Sequence, residues 1–258
     1  MESSNSVLNR FSLEGEHALI TGGGTGIGFA VAQAMAAAGA NVTILGRREA
    51  MLEQACSQLP GNATYRVADI TRLETIPDLV DEINQRVAPV SILVNNAGIH
   101  LKKPAVETSD AEFQSVMQTH VNAAFALTRE CARGMVGRER GAVLFMASMT
   151  SFMGMPSVVS YSAAKSAYLG LVHSLSNEWA AHGIRVNGIA PGWIGSPMLE
   201  QALAKDPPRR DRILQRIPTH AFGKPEDIGS AAVYLSSPAA SYINGVVLPV
   251  DGGALASL

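Results

Sequence analysis

Short apolar runs alternate along the chain with longer stretches that carry a helical pattern. The runs occupy residues 17–20, 41–45, 66–69, 91–94, 141–147, 185–190 and 245–250. The helical stretches are 29–38, stopped by Gly39, then 77–87, about 111–137, 160–182 and 225–235. In the second of these, Leu79, Val80, Ile83 and Val87 share one face. Such runs, in a chain this rich in apolar residues, suit a sheet buried on both faces. Strands alternating with helices of ten or more residues imply βαβ units and a parallel sheet. The pattern therefore predicts an α/β fold, a single doubly wound sheet of about seven strands with helices on both faces. One domain is expected over 13–258, preceded by a flexible tail over 1–12. Residues 195–217, with Pro207-Pro208 inside, read as a mobile helical lid.

The joint between the first run and the first helix is Thr21-Gly-Gly-Gly-Thr-Gly-Ile-Gly28. Gly22, Gly26 and Gly28 permit a tight turn and a close approach of backbone to ligand. The helix start behind them offers free N–H groups and a positive dipole end to a pyrophosphate. The spacing is T-G-x-x-x-G-x-G; a G-x-G-x-x-G pattern would place its third glycine at Ile27 or Phe29. A glycine turn so placed indicates a dinucleotide site of the Rossmann type. At the end of the second run the chain reads Gly46-Arg47-Arg48, with no carboxylate before Glu49. An acid there would hold the ribose 2′-hydroxyl of NAD, whereas guanidiniums suit the 2′-phosphate of NADP. NADP(H) is favoured and NAD(H) stays open, since two arginines at a helix start can also be simply solvated. The fourth run closes on Asn95-Asn-Ala-Gly98, small enough for a ligand to lie across.

The fifth run ends on Ser148, and thirteen residues later stands Tyr161-Ser-Ala-Ala-Lys165. Tyrosine and lysine four apart share one helix face. A phenol with a pKa of about 10 is a poor proton shuttle at neutral pH. A neighbouring ammonium favours the phenolate and would lower that value. Ser148 can hydrogen-bond an oxygen that exchanges a proton with Tyr161. Together they form a general acid/base site for a carbonyl or a carbinol.

Composition narrows the class. The 258 residues are 47% hydrophobic and 16% charged, with a net charge of −2. That balance gives no reason to expect nucleic acid or an anionic membrane as partner. The first ten residues are polar and do not read as a signal peptide. No run reaches the ~18 apolar residues of a membrane span. Cys56 and Cys131 have neither metal-site nor redox-motif spacing, so no metal is expected, and the thiols suit a reducing cytoplasm.

These motifs, in this order, resemble the short-chain dehydrogenase/reductase family over nearly the whole chain. Its carriers are the turn at 21–28, Asn95-Asn-Ala-Gly98, Ser148, Tyr161-x-x-x-Lys165, Pro191-Gly192 and the ending Gly245-Val-Val-Leu-Pro-Val-Asp-Gly-Gly253. The resemblance implies a secondary alcohol interconverted with a ketone by hydride transfer, with Tyr161 as acid/base and Ser148 orienting the substrate. It implies that Lys165 also binds the nicotinamide ribose, and that Asn122 holds a water in a proton relay. Cofactor contacts implied are Gly22, Thr25, Gly26, Ile27, Gly28, Arg47, Arg48, Asn95, Ala97, Gly98, Tyr161 and Lys165. Asp69 and Ile70 would lie beside adenine; Pro191, Gly192, Ile194 and Ser196 would pack against nicotinamide. Thr25 departs from members with a basic residue in the turn, so the NADP reading rests on Arg47 and Arg48. The family is usually dimeric or tetrameric, which implies a homo-oligomer paired through the helices at about 111–137 and 160–182, with the apolar tail 254–258 available to a neighbouring subunit.

For the substrate, the loop after the fourth run offers His100, Lys102 and Lys103 as cations for a carboxylate or donors for a polyol. A solvated loop or a subunit contact is an equal reading of the same residues. The segment 149–155 is largely apolar, and Met198 and Leu199 stand in the lid. Relatives that oxidise gluconate-type sugar acids look similar around Lys102-Lys103-Pro104, which tips the reading to a sugar acid or polyol. The alternatives are a 3-oxoacyl thioester reductase, a lyase or epimerase with bound cofactor, and a non-catalytic nucleotide-binding regulator.

Overall fold

The computed structural model describes residues 7–195, 203 and 206–257. Among them seven strands form one parallel sheet: β1 His17–Thr21, β2 Asn41–Gly46, β3 Ala63–Val67, β4 Ile92–Asn95, β5 Gly141–Met146, β6 Ile184–Pro191 and β7 Val247–Val250. Their order is β3-β2-β1-β4-β5-β6-β7. The chain builds outward from β1 to β3, then returns to the other side of β1 with β4. That reversal opens a crevice at the carboxyl ends of β1 and β4, where doubly wound sheets bind ligands. The predicted α/β architecture is the one observed.

The helices are α1 Gly26–Ala37, α2 Glu49–Gln58, α3 Ile76–Arg86, α4 Asp110–Met117, α5 Ala123–Gly137, α6 Val159–Trp179, α7 Pro207–Arg216 and α8 Pro225–Ser236. They cover both faces. On one, Leu19, Leu93, Val143 and Phe145 pack against α3, α5 and α6 through Val80, Leu127, Tyr168 and Val172. On the other, Ile20, Val42, Ile44 and Leu144 meet α1 and α8 through Val31, Met35, Ile228 and Leu235. Burying each such aliphatic side chain contributes about 1.5–3 kcal/mol. Packing of α8 on α1 depends on Gly229, where a Cβ would stand 2.8 Å from the Ala30 carbonyl oxygen.

Several boundaries differ from those the pattern predicts. Strand β3 ends at Val67, so Asp69 lies in the following loop, where its carboxylate accepts from the Thr71 N–H and hydroxyl. Helix α1 begins at Gly26, inside the glycine turn. The helix expected over 111–137 is broken: α4 and α5 flank a π-helical turn over Gln118–Asn122. No glycine or proline marks it. The Tyr168 hydroxyl, from α6, donates to the His120 carbonyl within that turn at 2.7 Å. Part of the expected flexible tail is anchored, since Val7–Phe11 form a 3-10 turn, Phe11 stacks on Tyr234 and Arg10 donates to the Pro238 carbonyl. At the other end Ala254 is buried against Met149 and Ile217 of its own chain. Of the expected lid, Ser196, Met198 and Leu199 lie outside the described residues; Leu203 is buried and α7 follows.

Candidate active site

A cleft of about 490 Å³ opens at the reversal point. Its floor is the glycine turn, with Gly22, Thr25, Gly26, Ile27 and Gly28 all lining it. Gly22 and Gly26 have φ of +66° and +57°, a region that costs other residues strain. At Gly28 a Cβ would stand 2.2 Å from the Gly22 carbonyl oxygen and 2.4 Å from Asn96 Nδ2. The turn therefore folds onto the start of α1, leaving the helix N-terminus facing the cleft. Arg47 and Arg48, both exposed, line one end beside Asp69 and Ile70. Hydrogen bonds from Thr71 hold the Asp69 carboxyl below the usual carboxylate range, with Arg47 adding to the effect. The opposite wall is Asn96, Ala97, Gly98, Ile99, Thr119, Ile194 and Gly195.

Near that wall stands Tyr161, the third residue of α6. Its ring lies 4.9 Å from that of His100, and the His120 ring meets it nearly edge-on at 5.5 Å. The Lys165 ammonium sits 5.6 Å from the Tyr161 ring centroid and 4.8 Å from that of Tyr168, and it donates to the Met146 carbonyl. Ser148 follows the end of β5, where its hydroxyl oxygen accepts from the Thr150 N–H at 3.2 Å. Burial raises the Tyr161 pKa, and a hydrogen bond with the Ser148 side chain works against that rise. Burial also lowers Lys165 to about 7. The lowering of the phenol expected from Lys165 is not seen here; desolvation, which penalises the charged form of both groups, sets both directions.

Other residues singled out from the sequence lie elsewhere. Asn122 is exposed, its amide donating to Gln118 Oε1 at 2.8 Å, so its side chain does not reach Tyr161. The π turn carries the His120 ring inward. That histidine was not legible as a site residue; its sole signal is a polar position in the stripe Val116, His120, Ala124, all buried. Asn95 is also turned away, buried and donating to Thr128 Oγ1 at 2.8 Å. Its neighbour Asn96 lines the cleft, bracing the turn by donating to the Thr21 and Gly22 carbonyls. Pro191 closes β6 and Gly192 follows it, two residues before Ile194 of the cleft wall. Gly192 is small because a Cβ there would stand 2.6 Å from Asp251 Cα.

The loop after β4 divides its cations. Lys103 pairs with Glu112 at 2.9 Å, at the capping box of α4, and its N–H donates to the Ser157 carbonyl at 2.7 Å. Lys103 therefore holds the loop, while exposed Lys102 and the His100 ring remain at the mouth. Partial burial and the Lys102 charge both lower the pKa of His100. In the segment after β5, Met149, Thr150 and Ser151 are buried, and the Ser151 hydroxyl donates to the Lys165 carbonyl at 2.7 Å. Among the described residues, no group of three or more His, Cys, Asp or Glu could hold a metal ion. No helix among them is long and apolar enough to cross a membrane.

Comparison with known proteins agrees with this geometry. Residues 22–254 match a family model described as enoyl-(acyl carrier protein) reductase. The chain is 40% identical over 251 residues to a 2-dehydro-3-deoxy-D-gluconate 5-dehydrogenase of Pseudoalteromonas atlantica, covering 96% of this chain and 98% of that one. It is 38% identical to a gluconate 5-dehydrogenase of Gluconobacter oxydans with the same coverage. Among solved structures, a gluconate 5-dehydrogenase of Burkholderia cenocepacia in complex with NADP and tartrate superposes with a TM-score of 0.92 at 32% identity, covering 97% of this chain and 99% of that one.

Proposed function

The chain belongs to the short-chain dehydrogenase/reductase family, and on that footing we propose that it oxidises a secondary hydroxyl of a sugar acid or polyol to the ketone, reversibly, with NADP(H). The observation that carries this reading is Tyr161 beside the cleft lined by the glycine turn, with the buried Lys165 ammonium 5.6 Å from its ring centroid and Ser148 at the end of β5. The relatives' sugar-acid activities and the NADP in a solved relative support the choice of substrate class and cofactor.

The residues present fit the cofactor. Gly26 has nothing within 4 Å of where its Cβ would stand, which leaves the helix start open to a pyrophosphate. In this proposal the turn from Gly22 to Gly28, with Thr25 and Ile27, holds the pyrophosphate. Arg47 and Arg48 hold the 2′-phosphate, Asp69 and Ile70 flank adenine, and Ala97, Gly98 and Ile194 line the path to the nicotinamide end. Lys165 takes the nearby ribose. Bound nicotinamide supplies the hydride chemistry, accepting hydride from the carbinol carbon and carrying a positive charge when oxidised. The protein's part is the proton. Ser148, whose oxygen accepts from the Thr150 N–H, keeps its own hydrogen for the substrate oxygen. Tyr161 as phenolate takes the carbinol proton as hydride leaves, and returns it in the reverse direction. A cation close to the buried phenol favours that phenolate, so Tyr161 becomes competent when the site is loaded. His100 and Lys102 at the mouth suit a substrate carboxylate or hydroxyls.

A cytoplasmic site of action and a homo-oligomer, tetramer or dimer, belong to the same proposal. Support comes from the two free cysteines and from Phe125, Phe152 and Val159, exposed on or beside α5 and α6.

The test is nicotinamide absorbance with NADP⁺ and NAD⁺ in parallel, against D-gluconate, its 2-keto-3-deoxy relative and galactitol, with 3-oxoacyl and enoyl thioesters in the reverse direction. Oxidation of a sugar acid or polyol is expected. Turnover confined to thioesters would overturn the substrate class in favour of the acyl reductase named by the family model. In the same assay the double variant Arg47→Ala/Arg48→Ala should weaken NADP⁺ roughly ten- to a hundredfold, the worth of a charged hydrogen bond of about 1.5–3 kcal/mol, and leave NAD⁺ little changed. Equal losses for both cofactors would remove the arginines from the phosphate site.

A further inference from the structure

The loop after β3 closes the Arg47–Arg48 end of the cleft with Asp69, Ile70 and Thr71. Thr71 turns its N–H and its hydroxyl onto the Asp69 carboxylate, at 3.0 and 2.7 Å. Its carbonyl is held from elsewhere: the Gln118 side-chain amide donates to it at 3.0 Å, across 47 residues of sequence. Among the described residues this is the one hydrogen bond that reaches 69–71 from a segment distant in the chain. Ile70 packs into the core beneath, but apolar packing has no direction. The bond from Gln118 is what sets how the Thr71 peptide faces.

Gln118 opens the π turn and Asn122 closes it. The Gln118 carbonyl accepts the Ala123 N–H, the five-residue spacing of such a turn. Its side-chain oxygen accepts from Asn122 Nδ2 at 2.8 Å. The direction of this chain of bonds is fixed at its far end, because a backbone carbonyl can only accept. The Thr71 oxygen requires the nitrogen of the Gln118 amide, which leaves the amide oxygen for Asn122, and Asn122 must then present its own nitrogen. Glutamine suits the position because one side chain carries both a donor and an acceptor. The next residue, Thr119, lines the cleft. One turn therefore touches the cleft wall through Thr119 and, through Gln118, the loop beside the two arginines.

We infer that Gln118 is a positioning residue for the adenine half of the dinucleotide. Its amide holds the Thr71 carbonyl, and with it the Asp69–Thr71 loop against which adenine lies, while Asn122 keeps that amide oriented. Asn122 thereby serves the cofactor's adenine end and not proton transfer. The inference rests on the reading of the cleft as a dinucleotide site, and goes beyond it by giving Gln118 and Asn122 a part in cofactor binding. It makes no use of the substrate class.

Halves of the cofactor test it, titrated into the full chain by calorimetry. Adenosine 2′,5′-bisphosphate reports on the adenine end and nicotinamide mononucleotide on the other. Gln118→Met keeps the length of the side chain and loses its amide. It should weaken the bisphosphate roughly three- to tenfold, the worth of a neutral hydrogen bond. Affinity for the mononucleotide and the melting temperature of the free protein should stay as in the wild type, which a general loosening of the fold would not allow. Asn122→Ala should cost less in the same direction. Added to Gln118→Met it should cost nothing more, because no amide is left to orient. Losses that simply add would remove Asn122 from the role. Unchanged bisphosphate affinity in both single variants, or a loss shared equally by the two halves, would overturn the inference while the wild type still binds dinucleotide. A wild type that binds neither NADP⁺ nor NAD⁺ would instead overturn the reading of the cleft, and the inference with it.

Discussion

Tyr161→Phe should lower turnover by about a thousandfold, within the range that a positioned general acid/base supplies. NADP⁺ binding should be nearly unchanged. The ring is packed between those of His100 and His120, and these contacts do not involve the hydroxyl. Phenylalanine preserves them while removing the atom that moves the proton. A steady-state assay of alcohol oxidation, with cofactor fluorescence as the binding control, separates the two effects. In the wild type the oxidation rate should rise with pH, because the base form of the phenol is the active one and burial raises its pKa. That limb should disappear in the variant. Turnover close to wild type would show that another group carries the proton.

Gly28→Val should abolish measurable NADP⁺ binding and lower the melting temperature. A Cβ at this position would stand 2.2 Å from the Gly22 carbonyl oxygen, part of the turn itself, and 2.4 Å from Asn96 Nδ2, which braces it. Overpacking of a close-packed site costs typically 1–3 kcal/mol. Relief requires the turn to leave α1, which would carry the N–H groups away from the cleft. Gly26→Ala is the control. Nothing lies within 4 Å of its Cβ position, so its cost comes only from a φ of +57°, on the order of 1 kcal/mol. A Gly28→Val protein that binds NADP⁺ as tightly as Gly26→Ala would show that the turn does not cradle the phosphates.

These expectations differ in how much of them could be read from the chain alone. Strand and helix order was legible because each element carries its own periodicity, and the buried strands β1, β2, β4 and β5 appear as short, largely apolar runs. The glycine turn was legible because positive φ and close packing select glycine residue by residue. Tyr161 and Lys165 were legible because four-residue spacing on a helix fixes a shared face. In each case the physics is local, acting within a few residues.

What escaped the reading depends on contacts between segments far apart in sequence. A helix over 111–137 is the natural reading of that stretch, and by itself it gives Asn122 and His120 equal claims. The π turn points the His120 ring inward and leaves the Asn122 amide on Gln118, and it is fastened by Tyr168, 48 residues away, and by the space that Gly98 leaves for the His120 ring. Asn95 and Asn96 are adjacent, but a strand sends successive side chains to opposite faces. Only the position of Thr128 shows that the first faces the core. Lys102 and Lys103 are chemically alike until Glu112 claims one of them. The chain alone thus determined the architecture, the glycine turn and the Tyr161–Lys165 pair, because short-range sterics and periodicity specify them. The tertiary structure alone decided which side chains enter the site around that pair, because burial and partnership are properties of the packed assembly and not of any one segment.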